Sequence, residues 1–400
     1  MKKLLFFLIP AAIFCSCSVK DAGIDDPSSP TLYDEGGDGG ISNGGGEGQE
    51  GGEAGKVTAG EWRDLDNWLF WSKLMTVKGE QGKEDYTKYS SYWGFYTNNR
   101  VAVRVLDSSD KPQRDVAVQL KSGSDVLYEG RTDNRGEVNL WVSLTKLKTD
   151  VDASSLSLVV NGAKQENAVA LTNWGDEVQW NTCTASIAPS TALDIAFIVD
   201  ATGSMMDEID FLKKDLEDII GKVAKKNTAA NIRTAALFYR DHDGDDYVTR
   251  VSDFSNDLSV TKSFINDQSA DGGGDYPEAV HTALEVGLQQ LSWREDGCIR
   301  LAFMLLDAPP HHEENVVQSL QQSIPNYAKK GIRIIPVAAS GVDKPTEFFL
   351  RFAAISTDAT YVFITNHSGI GNEHMEATVG QYKVEMLNDL IVRLINQYMQ

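Results

Sequence analysis

In the stretch "ALDIAFIVDATGS", Ala192 to Ser204, an apolar run stops at a carboxylate, Asp200, and two hydroxyls follow at alternate positions, Thr202 and Ser204. Carboxylate and hydroxyl oxygens are hard donors, so three of them projecting from one loop suit a divalent cation that prefers oxygen. Helix capping is the other common use of such residues, because a Ser or Thr hydroxyl at a helix start accepts a hydrogen bond from a free backbone N–H. Either use needs a strand before Asp200 and a helix after Ser204. Ala192 to Val199 reads as a buried strand, and Ile209, Leu212, Leu216, Ile219, Ile220 and Val223 fall on one helical face. Gly203 permits the sharp turn between them.

The elements that position this turn alternate in type. Strands are predicted at Arg233 to Tyr239, Val248 to Phe254, Leu301 to Leu306, Ile332 to Val337 and Tyr361 to Ile364, and helices at Ala279 to Leu291, near Glu314 to Lys329 and Val379 to Tyr398. Alternation of this kind predicts an α/β fold, a doubly wound and mostly parallel sheet with helices on both faces. In such sheets ligands bind beyond the carboxyl ends of the strands, where the winding reverses. Asp200 stands at a strand end of that kind.

The D-x-T-x-S pattern at Asp200, Thr202 and Ser204 resembles the metal-ion-dependent adhesion site of von Willebrand factor type A domains, and the resemblance extends over roughly Ala192 to Gln400. It implies two further contributing loops. "DGGGDYPEAV" offers Asp275 where the family usually carries a threonine, a departure found in "GGGD-x-PEA" forms of the family, and "LAFMLLDAPPHH" offers Asp307 at the end of its strand. The resemblance therefore implies one divalent cation, magnesium first, with calcium or manganese as substitutes, and a protein ligand whose Asp or Glu carboxylate completes the shell. The other reading it leaves open is a regulatory or assembly subunit that docks onto another envelope or secreted complex, with the metal mainly structural.

Other residues invite weaker readings. "DHDGDD", Asp241 to Asp246, lacks the glycine and the terminal glutamate that an EF-hand loop needs, so it reads as a solvated turn, with Asp241 and His242 bordering the metal site. His311 follows Asp307 and is placed on the same rim. No G-x-S-x-G or H-E-x-x-H motif stands at a strand end, and a binding module is expected in place of an enzyme.

The N-terminal half supplies the context. "MKKLLFFLIPAAIFCSC" has two lysines, an apolar run too short to span a bilayer, and small residues before a cysteine. It resembles a bacterial lipoprotein signal over residues 1–17, with Cys17 as the lipidated residue and an envelope location, outer membrane or surface, as the consequence. Residues 18–56 are Gly-rich and acidic and read as a flexible tether. Residues 57–190 begin with Trp62, Trp68 and Trp71, read as a short helix or buried plug, and continue with alternating strands between turn clusters. These resemble an Ig-like or transthyretin-like β-sandwich, so a small all-β domain is expected before the α/β domain at 191–400. Once Cys17 is lipidated and Cys15 removed, Cys183 and Cys298 are left as a candidate disulfide pair in an oxidising compartment. A net charge of -21 argues against nucleic acid as a partner.

Overall fold

A computed structural model of the chain describes residues 57–79, 85–188, 190–242, 245–365 and 376–400; Cys17 and the tether lie outside them. In chain order the strands are β1 (Thr58–Trp62), β2 (Arg100–Leu106), β3 (Ala117–Ser122), β4 (Asp125–Arg131), β5 (Glu137–Trp141), β6 (Leu156–Val160), β7 (Ala163–Lys164), β8 (Trp180–Thr184), β9 (Ala192–Asp200), β10 (Asn231–Tyr239), β11 (Thr249–Ser255), β12 (Cys298–Leu306), β13 (Ile332–Ala338), β14 (Tyr361–Ile364) and β15 (Glu385–Met386). The helices are α1 (Trp68–Thr76), α2 (Thr87–Trp93), α3 (Met206–Lys226), α4 (Leu258–Asn266), α5 (Val280–Gln289), α6 (Glu314–Lys330), α7 (Lys344–Ser356) and α8 (Leu387–Met399).

Eight strands form one sheet in the order β11-β10-β9-β12-β13-β14-β1-β15. The five from β10 to β14 run parallel, and β11 and β1 flank them antiparallel. β9 and β12 are buried along nearly their whole length, as strands covered by helices on both faces must be. From β9 the chain winds outward to β10, then crosses back to β12 and winds the other way through β13 and β14. The winding thus reverses between β9 and β12. Their register pairs Val199 with Leu305, so Asp200 and Asp307 leave adjacent strand ends.

The β region preceding this sheet consists of a three-stranded sheet, β5-β2-β8, and a four-stranded sheet, β4-β3-β6-β7. One boundary differs from expectation. The Trp-rich segment does not belong to the small sheets: Trp62 lies on β1, which pairs with β14, and α1 and α2 pack around α7. Trp71 stacks on Phe348 with ring centroids 5.7 Å apart, and Phe95 on Phe352 at 4.1 Å. Covering β14 in this way removes an open sheet edge. α7 itself shows no helical periodicity in the sequence because every residue from Thr346 to Ser356 is buried. The terminal helix, expected from Val379, begins at Leu387.

Cys183 and Cys298 are both buried and both free, which corrects the expected pairing. Cys183 sits in β8 opposite Val105 of the three-stranded sheet, whereas Cys298 opens β12 with its thiol on the Ile299 carbonyl oxygen at 3.2 Å. The two strands belong to different sheets, and each thiol is enclosed among its own neighbours.

The N-terminal segment is tied to α7 by a buried ion pair: Arg351 donates to Asp64 Oδ1 at 2.6 Å and Oδ2 at 2.9 Å, both residues almost wholly out of water. Removing one partner of such a pair strands the other charge in a medium that solvates it poorly. Asp64→Ala should therefore destabilise the fold by about 3 kcal/mol, read from the midpoint shift in chemical denaturation. A loss under about 1 kcal/mol, the value of a surface pair, would show that β1 and α1 are not part of the cooperative fold.

Candidate metal centre

Three loops meet where the winding reverses. The first follows β9. Asp200 is fully buried, and its Oδ1 accepts from the Thr202 backbone N–H at 2.9 Å and from the Thr202 hydroxyl at 2.7 Å. Asp200 Oδ2 is buried with no hydrogen-bond partner. The capping use of these hydroxyls is not what the chain adopts: neither the turn that starts after Thr202 nor α3 has a side-chain cap bond. Thr202 turns toward Asp200, and the exposed Ser204 turns its hydroxyl to Asp307.

The second loop is the glycine run before α5. Gly272 and Gly273 both have φ of +77°, a region costly for residues with a Cβ. A Cβ on Gly272 would overlap the Asp245 carboxylate, and one on Gly273 would lie 3.0 Å from Thr202 Cβ and 3.1 Å from Glu278 Oε1. The Gly203 N–H donates to the Gly272 carbonyl at 3.2 Å, which ties this loop to the first. Asp275 lies on the exposed part of the loop. Glu278, three residues on, is 3% exposed, with Oε2 buried and unpartnered. The third loop follows β12. Asp307 is 6% exposed, and its Oδ1 is likewise buried and unpartnered.

Packing like charges into a dry site raises their pKa values. Burial, and then the charge of Asp307, pushes Asp200 up to about 7 against the pull of the Thr202 amide and hydroxyl. Burial, and then Asp200, Asp241, Asp245 and Asp307, pushes Glu278 up to about 9. Asp307 is raised by burial, with Ser204 opposing. The Tyr239 phenol faces Asp200 without a well-formed hydrogen bond and is itself raised well above the usual tyrosine range by burial and by that carboxylate.

Of the residues expected at the rim, Asp241 is buried and not solvated, because it pairs with His311 Nε2 at 2.7 Å. His242 turns toward α5, with Nε2 2.9 Å from the Thr282 hydroxyl and its ring 5.3 Å from that of His281. Glu278 and His281 escaped the sequence reading. A carboxylate wedged between Pro277 and the apolar start of α5 at Ala279 and Val280 was the available signal for the first.

Among the described residues, no three His, Cys, Asp or Glu side chains form a ready-made metal-binding group. The donor set of Asp200, Thr202, Ser204 and Asp307 is all oxygen, and the orphaned Asp200 Oδ2 and Asp307 Oδ1 are what a hard cation would satisfy. The residues fit such an ion.

Residues 194–350 match the family model described as "von Willebrand factor A domain", and the chain thus carries a domain of this class. Domains of the class serve generally as protein-interaction and adhesion modules. The chain is 32% identical over 132 residues to an ariadne-like RING finger protein of Acanthamoeba polyphaga mimivirus, covering 33% of this chain and 12% of that protein. It is 28% identical over 149 residues to the alpha-protein kinase vwkA of Dictyostelium discoideum, covering 37% of this chain and 23% of that protein. It thus spans less than a quarter of either relative. Among solved structures, a conserved protein called BatB from Bacteroides thetaiotaomicron aligns with 13% identity and a TM-score of 0.35, over 52% of this chain and 98% of that one.

Because folding raises the carboxyl pKa values, the cation-free protein should lose stability as pH rises through them, the reverse of a salt-bridged carboxylate. A dication needs the ionised forms, so its binding should expel protons and strengthen by up to about tenfold per pH unit between pH 6 and 8. Calorimetric titration with magnesium in buffers of different ionisation enthalpy measures both effects. An affinity that is flat over this range, with no proton released, would contradict the site as described.

Proposed function

We propose that this chain is a lipid-anchored protein of a bacterial cell envelope that binds a protein partner through the divalent-metal face of its von Willebrand factor A domain, with magnesium as the cation. The observation that supports this reading best is the convergence, at the point where the sheet reverses its winding, of two hydroxyls and buried carboxylates with unpartnered oxygens. Asp200, Thr202, Ser204 and Asp307 would hold the ion, and the ion would supply a positive centre that draws the three loops together and leaves a position for water or a partner's group. Ser204 and the neighbouring Met206 and Tyr276 are exposed and would form the surface the partner meets. We read the chain as a recognition module and not an enzyme, since these donors are those of a cation clamp.

Two ways of using the cation remain distinct. In one, an Asp or Glu carboxylate from the partner completes the metal shell. In the other, the domain is an assembly or regulatory subunit and the metal stiffens the loops. The near-complete burial of Asp200 and Asp307 favours the second.

Anchoring rests on Cys17, with the Gly-rich residues 18–56 giving reach from the membrane. Among the described residues no helix is long and apolar enough to cross a membrane. Cys17→Ala should release the chain from the membrane fraction and abolish fatty-acid labelling; a variant that still sediments and labels would remove the lipoprotein reading.

Asp200→Ala should abolish magnesium binding while leaving the far-UV circular dichroism unchanged, because Ile195, Phe197 and Val199 keep the strand in the core. Cross-linking on intact cells should give a partner adduct with the wild type that is lost on chelation and absent in Asp200→Ala. An adduct indifferent to chelator would mean that the partner binds elsewhere.

A further inference from the structure

We propose a second binding site, for a small molecule that carries an oxyanion, in a cleft at the other end of the α/β sheet from the cation loops. The cleft has a volume of about 410 Å³, inside the range of roughly 300 to 1,000 Å³ that small-molecule pockets occupy. It is lined by the turn between β2 and β3, with Lys111, Pro112 and Arg114, by Ile187 and Ala188 between β8 and β9, and by Gly297. Gly297 precedes β12 and Asp307 follows it, so the whole length of that strand separates the cleft from the metal centre. The proposal therefore stands apart from the cation reading.

Arg114 is the charge that the cleft leaves uncompensated. It is half-buried, Nη1 donates to the Met399 carbonyl at 3.2 Å and Nη2 to the Ser190 carbonyl, and among the described residues no carboxylate pairs with it. Those two bonds leave the other N–H groups of the guanidinium without a protein acceptor. The carboxylates that share the cleft are already engaged. Asp115 is held by Arg300 at 2.9 Å, by Arg131 at 2.6 Å and by the Cys298 N–H at 3.2 Å. Asp107 accepts from the Ser109 and Lys111 backbone N–H groups at 2.7 and 3.0 Å and so closes its own turn. Burial draws the Arg114 pKa down, with Asp115 and Cys298 opposing, as befits a cation without a counter-charge in contact. In a chain of net charge -21, where acidic partners abound, a half-buried arginine in this condition stands out.

The planar guanidinium fork matches the paired oxygens of a carboxylate or a phosphate. Gly297 adds a backbone donor: its φ is +59°, and its N–H has no partner among the described residues. Lys111, exposed on the same turn, adds a second positive charge. Pro112, Ile187 and Ala188 are apolar and give the body of a ligand something to pack against. A bare ion would leave most of the cleft to water, so the ligand class is a small organic acid or phosphate ester. Its occupant would touch both the N-terminal β region and the start of β12, and so tie the two together.

Calorimetric titration of the full chain with succinate and with glycerol 3-phosphate tests this and separates the two sources of the oxyanion. At least one should bind with one-to-one stoichiometry. Arg114→Gln should weaken that binding by roughly tenfold or more, and Arg114→Lys, which keeps the charge and loses the fork, should weaken it less. Ala188→Phe, at an exposed position of the lining, should block the cleft without touching Arg114. Circular dichroism melting without ligand shows whether each variant folds, and if Arg114→Gln does not, Ala188→Phe decides. A wild type that binds neither compound at millimolar concentration, or affinities unchanged in a folded Arg114→Gln or in Ala188→Phe, overturns the proposal.

Discussion

Asp200 and Asp307 are forced together by the register of two parallel strands. Val199 pairs with Leu305, both strands are buried, and neither carboxylate can swing into water without pulling an apolar strand end with it. A sheet can hold two like charges side by side only if something compensates them, and here the compensation from the chain is partial: hydroxyls from Thr202 and Ser204 and a backbone amide. The remaining features of the site follow from this strain. The glycines at 272 and 273 let a second loop approach closely enough to wall off the strand ends, and Glu278 enters behind them.

Such a site needs a rigid frame, because like charges that can separate will do so. The frame extends beyond the α/β domain. β1 closes the edge of β14, Trp71 of α1 and Phe95, just after α2, stack on rings of α7, and the Asp64–Arg351 pair ties the N-terminal segment to α7. On the other side, Asp115 of the β region is buried between Arg300 of β12 and Arg131 of β4. Burial pushes the Asp115 pKa up, but the two guanidinium groups outweigh it and hold the carboxyl below its usual range. The N-terminal β region is therefore joined to the sheet by charged groups that only make sense together. A spacer merely threaded before the domain would not need them.

Much of this was legible in the sequence. The strand–turn–helix at Asp200, the alternation of strands and helices, the aspartate ending β12 and the α/β class come from local patterns: an apolar run, a change of period from two to 3.6, and polar residues at the break; the class of the domain came from the resemblance carried by Asp200, Thr202 and Ser204. Periodicity is a short-range property, and short-range properties are what one strand or helix requires of its own residues.

What local pattern does not carry is which residues of distant segments share a space. The sequence reading placed Asp275 in the site because its position in the glycine loop resembled a ligand position; the folded chain leaves Asp275 exposed and buries Glu278, three residues on, in a bridge to the loop that follows Asp307. It placed the Trp-rich segment with the β-sandwich, whereas pairing across some three hundred residues puts β1 beside β14. It brought Cys183 and Cys298 together, and the fold leaves them as buried free thiols on strands of different sheets. The sequence by itself determined the elements and the donor atoms at the end of β9; the tertiary structure alone decided which charges are buried against which, because desolvation and Coulomb repulsion depend on distances that only the folded chain sets.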